Sequence, residues 1–111
     1  MPRTYFRSWK EKDFEAVRSV LADDATFRGP MGTADSGDSC IQGMKGMAQS
    51  MHDLVIRKVF VDGSDVLTWF DLHMKGAPPC PTANWSHVED GKIKMIQVTF
   101  DPRPLVAPDG R

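Results

Sequence analysis

The apolar residues of this 111-residue chain change their spacing once, near the middle. Before residue 55 they recur at three- and four-residue intervals; after it they fall in short extended runs. Residues 4–11 predict a short helix carrying Tyr5, Phe6 and Trp9. After Lys12 and Asp13, a second helix sets Phe14, Val17, Val20 and Leu21 on one stripe. An extended piece covers Ala25 to Arg28. The stretch GPMGTADSGDS, 29–39, is rich in glycine and small polar residues and predicts a loop. A third helix puts Met44, Met47, Ala48, Met51 and Leu54 on one face, despite Gly46 within it.

The second half reads as strands. Residues 55–61 form one run, DGSD at 62–65 a turn, and VLTWFDLHM at 66–74 a second run, before GAPPCP interrupts the sheet. TANWSHVE then meets KIKMIQVTF across Asp90-Gly91, a residue pair suited to the left-handed turn of a two-residue hairpin. The closing DPRPLVAPDGR holds three prolines and excludes a central strand. Helices first and antiparallel strands after predict an α+β fold, with the helices packed on one face of a curved sheet.

Composition narrows the classes. With 26% charged and 41% apolar residues, the chain reads as one ordinary globular domain over 1–111. The net charge of −1 and the lack of a Lys/Arg cluster exclude nucleic acid and acidic membranes as main partners. No apolar run nears the roughly 20 residues of a membrane span. The polar start MPRTYFRSWKEKD has no signal core, which predicts a cytoplasmic protein. Cys40 and Cys80 lack metal or redox spacing and read as free thiols. With no P-loop, GxGxxG, HExxH or nucleophile elbow, neither a metal nor a cofactor is expected.

Two segments carry a resemblance. TYFRSWKEKDFEAVRSVLADDATFRGP is similar to the N-terminal segment of ketosteroid isomerases, including the run ADDAT, and ANWSHVEDGKIKMIQVTFDPRPL resembles the last two strands of SnoaL-like proteins. The chain thus resembles the NTF2-like superfamily, which includes ketosteroid isomerases, epoxide hydrolases and polyketide cyclases. The resemblance implies a cone of three N-terminal helices on a strongly curved antiparallel sheet. Only four residues precede Tyr5, where the family has a longer first helix, so a truncated start is one expectation. Tyr5 falls where the isomerases keep a phenol that donates to the dienolate oxygen. Asn84 falls, with one hairpin residue deleted, where they keep a protonated aspartic acid as second donor. Gly29 falls on the general base, and glycine cannot take a proton.

Alternation splits each strand into two faces. By resemblance, Leu67, Trp69, Asp71 and His73 point to the concave side, with Asn84, Ser86, Val98 and Phe100. A ligand pocket is then expected among Tyr5, Trp9, Met47, Met51, Trp69, Asn84, Ser86, Val98 and Phe100. Asp71 and His73 within it, with Tyr5, are the catalytic candidates; the alternative is that Asp71 and His73 only solvate a wet rim or pair structurally. Phe70, Leu72, Met74, Trp85 and Met95 would form an apolar convex face, which predicts a homodimer. Two functions fit: a cofactor-independent isomerase, cyclase or epoxide-hydrolase-type enzyme on a small apolar or polycyclic molecule, or a non-catalytic binding or dimerisation module.

Overall fold

A computed structural model describes residues 2–30 and 32–101. The proline-rich end at 102–111, expected to avoid a central strand, lies outside the described residues. The chain runs α1 (Pro2–Lys10), α2 (Phe14–Val20), β1 (Leu21–Gly29), β2 (Gly32–Ala34), α3 (Gly37–Ala48), β3 (Met51–Asp62), β4 (Asp65–Met74), β5 (Cys80–Glu89) and β6 (Lys92–Thr99). The strands form one sheet in the order β2-β1-β6-β5-β4-β3. All neighbours are antiparallel except β1 and β6, which run parallel, so the sheet is mixed rather than wholly antiparallel. Register shifts in β3, at Met51/Asp53 and Ile56/Lys58, bend it.

Local chemistry sets the boundaries. The Asp13 carboxylate accepts from the Ala16 N–H at 3.2 Å and caps α2; the Ser36 hydroxyl accepts from the Ser39 N–H at 3.0 Å and caps α3. Arg18 joins three elements: it donates to Asp23 at 2.7 Å, Asp38 at 2.8 Å and the Leu21 carbonyl at 3.1 Å. Gly37 lets α3 sit this close. A Cβ there would meet the Ala22 carbonyl oxygen at 2.7 Å and the Arg18 guanidinium at 2.8 Å. Asp90 and Gly91, with φ of 52° and 76°, form the expected left-handed turn between β5 and β6.

Three expectations are corrected. The third helix ends at Ala48, and Met51 and Leu54 belong to β3. These two are buried core residues, so an apolar spacing compatible with a helix conceals the start of a strand. Part of the expected 29–39 loop is β2, which pairs Phe27 with Ala34. The third correction is the largest: the two faces of β4 are exchanged. Thr68, Phe70, Leu72 and Met74 point inward and are buried, whereas Trp69 is 44% exposed. The ladder agrees, since Thr68 sits opposite Asn84, and both are buried.

The physical reason lies in α1. Its Phe6 ring packs 5.2 Å from Phe70 and its Trp9 ring 6.3 Å away, while Tyr5 meets Phe6 edge-on at 4.9 Å. A nine-residue helix is marginal alone and needs this packing. Phe70→Ala should therefore cost about 3–5 kcal/mol in denaturant unfolding. His73→Ala, on the opposite face, should cost about 1 kcal/mol or less. The reverse order would return β4 to the expected orientation.

Candidate functional site

A cavity of about 140 Å³ opens between the helices and the β1 end of the sheet. Tyr5 and Trp9 of α1 form one wall. Ser39, Cys40, Gly43, Met44 and Met47, recurring at three- and four-residue spacing, present one face of α3 as the second. Phe27, Gly29 and Pro30, with Gly32, Thr33 and Ala34 of β2, close the third, and Phe100 completes the lining.

Among the described lining residues only Tyr5 and Cys40 can titrate. Burial pushes the Tyr5 phenol well above its usual range, more than the nearby Asn84 amide lowers it. Burial also raises the Cys40 thiol, whose sulfur lies 3.9 Å from the Ala25 carbonyl oxygen. Both are neutral donors near pH 7. Beneath the pocket, Ser86 donates to the Asn84 side-chain oxygen at 3.0 Å. The Asn84 amide acts on the Tyr5 phenol as a hydrogen-bond donor, which lowers its pKa, whereas Trp9 Nε1 has no hydrogen-bond partner among the described residues. One buried donor is thus unmet.

Of the residues expected at a site, Tyr5, Trp9, Met47 and Phe100 line the pocket. Asn84 and Ser86 are buried on the same concave face, with half-buried Val98 beside them and Met51 in the core. Trp69, Asp71 and His73 are not with them. They occupy the convex face, as the exchange of β4 faces requires. Arg57 donates to Asp71 at 2.7 Å, so that buried carboxylate is satisfied by an ion pair outside the pocket, and the His73 ring lies 5.7 Å from that of His52. This pair of catalytic candidates faces away from the cavity. Gly29 does stand in the wall, and a Cβ there would press the Phe27 ring at 3.1 Å. The sequence reading missed Phe27, Ser39, Cys40 and Gly43. The alternation of small residues with methionines along α3 was the available signal.

The convex face carries an apolar patch; of the residues expected there Trp85 keeps its place, whereas Phe70, Leu72 and Met74 are in the core. Phe60, Leu67 and Trp85 lie in one cross-strand row and Trp69 beside it; all four are large exposed hydrophobics. At its border, the Asp65 carboxylate accepts from Trp85 Nε1 at 2.9 Å and meets His87 Nδ1 at 2.8 Å. No helix among the described residues is long and apolar enough to cross a membrane, and the described residues hold no group of metal-ligating side chains.

A family model described as a SnoaL-like domain matches residues 3–96. No curated protein matches the chain. An NTF2-like protein of unknown function from Cytophaga hutchinsonii is 30% identical, with a TM-score of 0.83, over 92% of this chain and 88% of that one. Two further structures share the fold. One is an LEH-like epoxide hydrolase of M. tuberculosis (20% identity, TM-score 0.77, 92% of this chain and 80% of that one). The other is a ketosteroid isomerase-like fold protein from Catenulispora acidiphila in complex with trimethylamine (18%, 0.77, 97% and 90%).

The Asp65 contact raises the His87 pKa above 6.5. A raised folded-state value means that the charged pair stabilises the fold fully below pH 6.5 and loses this contribution as pH rises through the folded pKa. An NMR titration should place the His87 midpoint above 6.5, and Asp65→Asn should lower it. A midpoint unmoved by that change would remove the contact.

Proposed function

The chain belongs to the SnoaL-like domain family, and from that premise we propose that it binds a small, uncharged and largely apolar molecule without general-base chemistry. One observation carries this reading. The described pocket lining offers apolar surface and neutral donors, and no side chain there is charged near neutrality. An apolar hollow with a few polar groups is the usual form of a small-molecule site. Its volume of about 140 Å³ suits a single ring or short chain better than a polycyclic molecule. The unmet Trp9 indole N–H favours a ligand carrying an acceptor oxygen or nitrogen. A neighbour of the same fold in complex with trimethylamine supports the small size of the ligand and not its lack of charge.

The enzymatic alternative keeps Tyr5 and Asn84 as donors toward a developing oxyanion. Among the described lining residues it finds no carboxylate or imidazole to move the proton, and general-base catalysis typically contributes about 10²–10⁴-fold. Neither reading invokes a cofactor. Two free, buried thiols fit a cytoplasmic setting. The exposed convex patch favours a homodimer joined through that face.

Cyclohexanone, a ring with one acceptor, is a suitable probe, followed by tryptophan fluorescence. Gly43→Leu should abolish binding without unfolding the chain, because a Cβ at Gly43 meets nothing within 4 Å. Trp9→Phe, which removes the pocket reporter and is therefore followed by calorimetry, should weaken binding by about 0.5–1.5 kcal/mol through the lost donor. Asp71→Asn should leave it unchanged. Affinity should stay flat from about pH 5 to 8, since Tyr5 and Cys40 both remain protonated. A titrating affinity, or one sensitive to Asp71, would put a base back into the site.

Assembly is checked separately. Sedimentation should report at least twice the 12.4 kDa chain mass. Trp85→Lys should lower the assembled mass by placing an unpaired charge in the interface. A monomer at micromolar concentration would rule out the convex contact.

A further inference from the structure

The sheet ends at β3, and among the described residues no strand covers its outer side. This edge is long and apolar. Ile56, Val59, Phe60 and Val61 are all exposed, with Val61 at 69%. Proteins commonly shield such an edge with proline, charge or a bulge. Here a register shift between Ile56 and Lys58 interrupts the edge and leaves Lys58–Asp62 as one regular run beside the turn.

Two charges in that run lack ion-pair partners among the described residues. Lys58 lies 5.9 Å from the centre of the Phe60 ring and meets no carboxylate. Asp62 is worse placed, since its cross-strand partner in the hairpin is Asp65. Asp65 is itself engaged by Trp85 and His87, so Asp62 faces a like charge.

Hydrogen-bond parity restricts what can pair here. Gly63, with φ of 61°, begins a two-residue turn, which makes Asp62 and Asp65 its closing hydrogen-bonded pair. Alternation then turns the N–H and C=O groups of Val61 and Val59 to the open edge. A second copy pairing antiparallel must set an outward residue against an outward one. The two-fold axis therefore passes through a residue, not between two. On Val59, the axis would put Lys58 against Phe60. On Phe60, it puts Lys58 against Asp62 twice, Val59 against Val61 twice, and Phe60 against its own copy.

We propose that the open edge of β3 pairs with the same edge of a second copy, antiparallel and centred on Phe60. Each Asp62 then gains a lysine, and the Phe60–Leu67–Trp85 row continues across the junction. This contact uses the backbone edge and the Lys58–Asp62 run; it shares Phe60 with the convex patch but is an edge pairing rather than face-to-face packing, and it leaves the pocket untouched.

Phe60→Cys provides the readout. In this register the two Cα atoms form a non-hydrogen-bonded pair, within disulfide reach. The native Cys40 and Cys80 are both buried. Mild oxidation of this variant should give a covalent dimer on non-reducing electrophoresis. Adding Lys58→Asp should slow its formation several-fold, because two like-charge pairs replace two opposite ones. Adding Asp62→Lys to that variant should restore the rate by exchanging the charges. Val59→Pro, which removes an outward N–H without touching the β4 ladder, should also slow it, with circular dichroism reporting a retained fold. Cross-linking indifferent to Lys58→Asp, or not rescued by the double exchange, would overturn the proposal.

Discussion

The inward face of Phe70 is the constraint on which the rest depends. Side chains alternate strictly along a strand, so fixing one residue of β4 fixes all of them. With Phe70 under α1, Leu72 and Met74 join the core, and Trp69, Asp71 and His73 must face outward. The aromatic contacts with Phe6 and Trp9 in turn hold a helix too short to persist alone. That helix supplies Tyr5 and Trp9 to the cavity. Without the Phe70 anchor the pocket loses a wall.

Much of this was legible in the sequence. The order of helices and strands apart from β2, the Asp90-Gly91 hairpin and the inward set of β5 and β6 all follow from spacing and turn chemistry. So does the likeness to the family that the chain joins. β4 was not legible by the same means, because both of its faces carry large apolar residues. Leu67 and Trp69 on one side compete with Phe70 and Leu72 on the other, and alternation alone does not choose. What chooses is a contact distant in sequence, between residues 6 and 70. Asp71 adds to the ambiguity: a carboxylate in an apolar strand reads either as a site or as a structural ion pair, and here it is the partner of Arg57, which a bulge in β3 delivers.

The finished molecule separates charge from cavity. Arg18 with its two aspartates, Lys94 with Asp24, and Arg57 with Asp71 all lie away from the pocket lining. Inside, the groups that titrate are held neutral by burial. The scaffold supports several chemistries, and side chains rather than topology decide among them. Gly29 stands in the wall without a titratable side chain and leaves the hollow itself in place.

The parallel pairing of β1 with β6 has a consequence for how the molecule is made. Lys92 donates to the carbonyl of Ser19 from 73 residues further along the chain, and Lys94 reaches Asp24 across a similar span. Hairpins of neighbouring strands close small loops, but this seam closes a loop of most of the chain. The β3–β6 meander is able to form before β1 docks. Since β1 carries Phe27 and Gly29, the hollow is complete only once β1 is docked. A nascent chain lacks that hollow until β6 has been synthesised.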